Sequence, residues 1–259
     1  MKYSIIFPTY DRVKTLEKCI EHNINKAGIP RSLFEVIWID DGSKEVDLVE
    51  KVMSKVNPEI IVKKQYNEGT IKTKNLGMYL AKGDYLLIID TDFILTENWL
   101  KEIDVYLSKL YIDVILLSDH FRDKWEGINF KVADLSLAQL TSNIVSGAFL
   151  ISREVLETVG FLDKAFGFYG LNDADWTFRL RRAKYEPYYL GNVYAKHLGV
   201  RGESGDNRDK KEKSLKENAA LLRKRIKGDL IYYNPTLNAC QNMIMDLEIK
   251  ENLKRRKDE

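Results

Sequence analysis

Tyr85-Leu86-Leu87-Ile88-Ile89 is an unbroken apolar run, and Asp90-Thr91-Asp92 follows it at once. Such a run, introduced by Gly83-Asp84 and stopped by acids, predicts a strand buried on both faces. Two carboxylates at i and i+2 just past the strand can both reach a hard divalent cation, directly or through water. Mn2+ or Mg2+ takes oxygen ligands and leaves positions for water or a substrate phosphate. A D-x-D alone is also the pattern of surface turns and caps; the preceding strand is what gives this one weight.

Outward from this strand, apolar runs alternate with amphipathic stretches. Toward the N-terminus, Tyr3–Phe7, Glu35–Ile39 and Ile60–Val62 read as strands. Between them, residues 12–26 place Val13, Leu16, Cys19, Ile20 and Ile24 on one helical face. Val49, Val52, Met53 and Val56 mark a second helix, and 71–81 a third. Toward the C-terminus, Leu100, Ile103, Leu107 and Leu110 mark a helix and Val114–Leu117 a strand. The alternation predicts an α/β fold with a mostly parallel central sheet and right-handed crossovers. Ligands then sit at the carboxyl ends of the strands. Pro8-Thr9-Tyr10-Asp11, Asp40-Asp41 and Asp90-Thr91-Asp92 all fall there.

The second half is less regular. Residues 119–140, with His120, Trp125 and Gly127, read as loop, and Ser146-Gly147 breaks an apolar run over 144–151. Helices are expected over 153–159, 173–184, 214–227 and roughly 236–256, and a strand over Tyr188–Val193. Arg201–Lys213 contains no apolar side chain and is expected to be a loop able to close over a ligand. Leu237, Cys240, Ile244 and Leu247 form a narrow seam suited to packing, to pairing in a homodimer, or to lying on an anionic membrane surface.

The chain has 259 residues, 44% apolar and 31% charged, the composition of a globular protein rather than a disordered one. No apolar run is long enough to span a membrane, the N-terminus lacks a signal-peptide pattern, and two cysteines make no disulfide framework. A cytoplasmic location is expected. Residues 208–228 carry nine Lys/Arg against three Asp/Glu, net +6, leaving −4 on the remainder of a chain of net charge +2. That segment is either a solvated helix face or a contact for a phosphate-bearing partner, DNA included.

Taken together, several blocks resemble the family 2 glycosyltransferases of the GT-A fold. They are Ser4-Ile5-Ile6-Phe7-Pro8-Thr9-Tyr10-Asp11, Trp38-Ile39-Asp40-Asp41-Gly42-Ser43, Asn67-Glu68-Gly69 with Lys74-Asn75-Leu76-Gly77, Ala81-Lys82-Gly83-Asp84-Tyr85, Asp90-Thr91-Asp92, and Gly160-Phe161-Leu162-Asp163 through Gly170-Leu171-Asn172-Asp173-Ala174-Asp175-Trp176. The resemblance covers roughly residues 1–200. It divides the chain into a catalytic domain, 1–213, and a basic helical extension, 214–259.

The resemblance implies a nucleotide-diphosphate sugar as donor, usually UDP-linked, and a metal cofactor, Mn2+ or Mg2+. Pro8, Thr9 and Tyr10 would line the nucleoside pocket. Asp41 would accept from the base or ribose, unless it and Asp40 only cap the next turn. Gly69 would let the backbone approach the nucleotide, and Lys74 would reach its phosphates where many relatives carry Arg. Asp90 and Asp92 would hold the cation, His197 would complete its ligands, and Thr91 between the two acids would touch the donor. Asp173 matches the base that deprotonates an acceptor hydroxyl in an inverting transfer; its alternative is a helix N-cap. Here Asn172 stands where the family pattern has Glu. Gly147, Asp175 and Trp176 are candidates for the acceptor side, with Trp125 and Tyr169 as further rings for stacking on sugar; core packing is the alternative for Trp176.

The implied activity is inverting transfer from a UDP-sugar to a saccharide or lipid-linked glycan. Two other readings accompany it: glycosylation of a hydroxymethylated DNA base, as in phage-type transferases, and an inactive module that only binds nucleotide or glycan. A nucleotidyltransferase is disfavoured, because Pro8-Thr9-Tyr10-Asp11-Arg12 is no Gly-rich phosphate loop.

Overall fold

The computed structural model describes residues 1–117, 139–140, 147–167, 169–190, 192–198 and 208–226. His120, Trp125, Gly127 and the helix expected over 236–256 lie outside the described residues.

The centre is an eight-stranded sheet. Its strands are β1 (Tyr3–Thr9), β2 (Phe34–Asp40), β3 (Ile60–Lys63), β4 (Tyr85–Ile89), β6 (Val114–Leu116), β7 (Gln139–Leu140), β8 (Ala148–Ser152) and β9 (Tyr188–Tyr189), in the order β3-β2-β1-β4-β8-β6-β9-β7. The β3-β2-β1-β4 half is parallel throughout, and β6 and β9 are also parallel. β8 runs antiparallel to both β4 and β6. The fold is therefore mixed α/β with a mostly parallel sheet, as the alternation predicts. The reversal at β8 carries no signal of its own, since Phe149-Leu150-Ile151 is as apolar as its parallel neighbours.

Helices cover both faces. Seven are described: α1 (Val13–Asn25), α2 (Val46–Met53), α3 (Thr70–Leu80), α4 (Trp99–Lys109), α5 (Arg153–Val159), α6 (Asn172–Arg182) and α7 (Arg208–Ile226). Strand residues alternate between the two hydrophobic layers. Leu87 and Ile89 of β4 join Leu16, Ile20, Trp38 and Trp99 on one side. Leu86 and Ile88 join Ile6, Leu76, Phe149, Phe161 and Trp176 on the other. Each such side chain contributes about 1.5–3 kcal/mol when fully buried. Pro8 is tolerated in a central strand because β1 pairs with β4 only as far as Ile6, so its missing N–H leaves no gap on that side.

A two-stranded ribbon completes the described architecture. β5 (Phe93–Leu95) continues from the acidic turn and pairs antiparallel with β10 (Ala195–His197), placing His197 opposite Phe93. The α1 side chain Asn23 fixes the ribbon, donating to the Phe93 carbonyl at 2.9 Å and accepting from the Leu95 amide at 2.9 Å.

α7 differs from expectation. It begins at Arg208, inside the stretch expected to be loop, and runs through residue 213, where the sequence places the boundary of the extension. Its inward face carries Ser214, Asn218 and Arg225, all under 9% exposed. Leu221 and Leu222 pack on the core, but before Ser214 no apolar side chain marks where the helix begins.

Candidate active site

The carboxyl ends of β1, β2 and β4 form one rim. Thr9 lies opposite Asp40 in the parallel register, and the Asp41 amide donates to the Thr9 carbonyl at 2.8 Å. Asp40, fully buried, accepts from the Gly42 and Ser43 amides at 3.1 and 2.9 Å and from Ser43 Oγ at 2.5 Å. It caps the turn, and burial still pushes its carboxyl above the usual range despite those bonds. Asp41 turns the other way. Its Oδ2 accepts from the Gly69 amide at 2.8 Å, and its Oδ1 from the Glu68 amide at 3.2 Å and Lys64 Nζ at 3.0 Å. A carboxylate offers about four lone-pair positions, so one is left for a ligand donor. Gly69 sits at φ 97°, outside the range L side chains favour, where the chain enters α3. Pro8 and Tyr10 flank Thr9 on the same rim, both half-buried.

The acidic turn lies between two basic side chains. Lys74, on α3 and 7% exposed, holds Asp90 through both oxygens at 2.9 and 3.0 Å. Burial pushes the Asp90 carboxyl up, against the pull of Lys74. Asp92 pairs with Arg12 and meets His197 Nε2 at 3.1 Å. Its burial acts upward, but the His197 bond and the Arg12 charge outweigh it and hold the carboxyl below the usual range. Thr91 is buried between the two acids. The ribbon aims the imidazole: the His197 ring stacks on Phe93 at 4.7 Å between centroids, and the Leu198 amide donates to the Asp92 carbonyl at 2.8 Å.

Among the described residues no three His, Cys, Asp or Glu side chains form a ready metal cage. The donor set nevertheless fits a hard divalent ion in kind: two carboxylates on one turn and an imidazole against the second. Each acid is neutralised here by a basic side chain, Asp90 by Lys74 and Asp92 by Arg12.

Asp173 is the second residue of α6, not its N-cap. The cap position is Leu171, in left-handed backbone at φ 62°. Asp173 Oδ1 accepts from the Ala174 amide at 2.9 Å. Burial pushes its carboxyl up; Lys74 opposes that and the negative Asp90 adds to it, so Asp173 shares the electrostatic field of the acidic turn.

Three acceptor-side candidates are structural instead. Trp176 is fully buried, donates its indole N–H to the Gly160 carbonyl at 2.8 Å and packs on Phe149, so no face is open to a sugar. Asp175 is fully buried between Arg179 and Arg225, at 3.0 and 2.9 Å. Gly147 is buried, its carbonyl accepting from the Asp90 amide at 2.7 Å; at φ 63° a Cβ there would lie 2.5 Å from the Phe93 ring. It supports the acidic turn. Tyr169, by contrast, is 41% exposed, with Lys211 Nζ 5.0 Å from its ring centroid.

Sequence reasoning missed Arg12, Lys64 and Asn75. Asn75 clasps residue 162 in both directions, donating to the Leu162 carbonyl at 2.8 Å and accepting from its amide at 3.0 Å. Arg12 follows Asp11, and both have positive φ (61° and 52°). Such a kink at a strand end turns the side chain of a nominal helix cap into the rim, and nothing in the residue types announces it.

Comparison with known proteins bears on the family and the fold. Residues 4–160 match the domain described as Glycosyl transferase family 2. The poly(ribitol-phosphate) beta-N-acetylglucosaminyltransferase TarS of Staphylococcus aureus is 26% identical over 161 residues, 61% of this chain and 26% of TarS. Chondroitin synthase of Pasteurella multocida is 27% identical over 220 residues, 68% of this chain and 22% of the synthase. This chain thus covers about a quarter of either relative. Among solved structures, TarS with UDP-GlcNAc superposes with a TM-score of 0.56 at 22% identity, covering 80% of this chain and 61% of that one. The mannosyltransferase PcManGT of Pyrobaculum calidifontis, with GDP-Man and Mn2+, gives 0.65 at 19% identity, covering 92% and 68%. The strand order, the acid-bearing rim and a family match over more than half the chain lead to one assignment: this chain belongs to glycosyl transferase family 2 and has the GT-A fold.

Proposed function

We propose that the chain transfers a sugar, with inversion, from a nucleotide-diphosphate donor to an acceptor hydroxyl on a saccharide or lipid-linked glycan. The observation that carries this is Asp173, a carboxyl raised by burial and electrostatically coupled to the Lys74–Asp90 pair at the end of β4. UDP is the favoured nucleotide, because Asp41 keeps a carboxylate position for a donor such as uracil N3–H, and TarS was solved with UDP-GlcNAc.

In the proposed reaction the acceptor oxygen attacks the anomeric carbon opposite the diphosphate, and Asp173 takes the hydroxyl proton as the bond forms. Pro8, Thr9, Tyr10, Asp41 and Gly69 seat the nucleoside end of the donor. Lys74 and Arg12 stand where charge collects on the departing diphosphate, each already oriented by an acid. Asp90, Asp92 and His197 would hold Mn2+ or Mg2+, which supplies Lewis-acid stabilisation of that diphosphate. Two of the solved neighbours contain Mn2+. A DNA acceptor is not favoured: the relatives named above are a poly(ribitol-phosphate) glycosyltransferase and a chondroitin synthase. Among the described residues no helix is long and apolar enough to cross a membrane.

The test is a screen of UDP- and GDP-sugars with Mn2+, following donor hydrolysis and transfer, on the wild type and Asp173→Asn. The variant should bind UDP normally and lose about 10²- to 10⁴-fold in turnover. Wild-type turnover by Asp173→Asn, or failure of every nucleotide sugar to bind, would overturn the reading.

A further inference from the structure

We infer that α7, outside the matched family domain, is the clamp that sets the position of Asp173, with Asn218 and Arg225 as positioning residues. The inference rests on the reading of Asp173 as the base.

The backbone entering α6 is strained. Gly170 and Leu171 have φ 85° and 62°, and a leucine in the left-handed region persists only where its surroundings impose it. The imposing groups come from α7. The Asn218 side-chain nitrogen lies within hydrogen-bond distance of the carbonyls of Phe166, Tyr169 and Gly170, at 2.5, 2.9 and 2.7 Å, and its two N–H bonds are shared among the three. Ser214 Oγ donates to the Tyr169 carbonyl at 2.9 Å and accepts from its amide at 3.0 Å. Gly170 passes so close to α7 that a Cβ on it would lie 2.4 Å from Leu215 Cδ2.

Arg225 closes the other side of the same loop. One guanidinium nitrogen reaches Asp175 Oδ1 at 2.9 Å and another Asp163 Oδ2 at 2.6 Å. Asp163 lies where the loop begins, and Asp175 lies two residues beyond Asp173. Arg179 holds the opposite oxygen of Asp175 and the carbonyls of Val159 and Phe161, tying the start of α6 to the end of α5. Ser214, Asn218 and Arg225 share one helical face and are all buried. A basic helix whose only task was to meet a phosphate-bearing partner has no need of this inward polar face. The face fits a loop that presents backbone carbonyls and two acids.

The experiment uses the full chain with Mn2+ and its best donor and acceptor. Asn218→Ala should lower kcat about 10²-fold, the loss that accompanies a displacement of roughly 1 Å at a reacting group. KM for the donor should stay unchanged, because the rim at β1, β2 and β4 is untouched. The acidic limb of the rate profile should flatten as Asp173 ceases to govern turnover. Arg225→Gln should behave likewise, and Arg225→Lys should recover part of the lost kcat by keeping a cation between Asp163 and Asp175. Lys216→Ala, exposed on the same helix, is the control and should match the wild type. If Asn218→Ala fails to fold, Ser214→Ala is read by the same kcat and pH criteria. The inference is overturned if the folded variant keeps wild-type kcat and pH profile, or if Arg225→Lys recovers nothing over Arg225→Gln. An inactive Asp173→Asn beside a fully active Asn218→Ala would remove the clamp and leave the base. A fully active Asp173→Asn would remove the base itself.

Discussion

Asp173 is where burial and chemistry pull in opposite directions. Its carboxyl is raised chiefly by burial, from an ordinary value of 3.8. A folded-state value above the unfolded one means the native state binds the proton more tightly. Stability is therefore lost as pH rises from about 3.8 through the raised value, and nothing is lost below that window. In the proposed reaction the ionised form is the base, so activity should gain over the same range. Asp173→Asn should consequently raise Tm at neutral pH while removing turnover, and the acidic limb of the wild-type kcat/KM profile should lie above the usual carboxylate position. Paired melts and rate profiles check both. At this scale the sequence was informative where a residue's partner is near in the chain and misleading where it is far. Asp173 is picked out by its neighbours, and its carboxyl feels the charges of Lys74 and Asp90. Asp175, two residues on, looks equally able to touch a ligand, yet its partner Arg225 is 50 residues away and consumes it. Trp176 presents the same ambiguity, resolved only by the Gly160 carbonyl that takes its N–H.

At the scale of elements, the acidic turn depends on pieces that lie far from it in sequence. The β5–β10 ribbon carries the imidazole, and Gly147, leading into β8, carries the carbonyl that fixes Asp90. A side chain at 147 would meet the Phe93 ring on which His197 stacks. Gly147→Ala should therefore cost more than about 1 kcal/mol from its positive φ alone. By shifting Phe93 it should also weaken Mn2+ binding, measured by titration calorimetry with UDP present; an unchanged Mn2+ affinity would show that the ribbon absorbs the strain. Strands and helices with strong periodicity were legible within a residue or two, β4 and α5 among them. Elements with weak patterns were not. β9 is two residues long where a six-residue strand was expected, and α7 begins at Arg208, ahead of the helix expected from residue 214.

For the whole molecule, the α/β class and the mostly parallel sheet follow from the alternation of apolar runs, which local periodicity reveals; the order of the strands does not. The direction of β8 and the docking of α7 do not, because both are decided by contacts between distant segments. If the nucleotide bridges the β1, β2 and β4 edges as proposed, binding should stabilise the entire fold. UDP with Mn2+ at about 100-fold its dissociation constant should add about 2.7 kcal/mol, a rise in Tm of roughly 5–10 °C for a domain of this size. A thermal-shift series over nucleotides at one fixed concentration checks this, and the largest shift identifies the preferred nucleotide.

Arg12, Asp92 and His197 meet although the chain separates the first two by 80 residues and the last two by 105. During synthesis, β1 to β4 leave the ribosome and can stack their layers long before residue 197 is made. A nascent chain at that stage has the shelf on which a sugar nucleotide would rest, while Asp92 still waits for its imidazole. If His197 completes the acid corner as proposed, competence arrives late in translation, and a message cut short before β10 yields a polypeptide that lacks this imidazole.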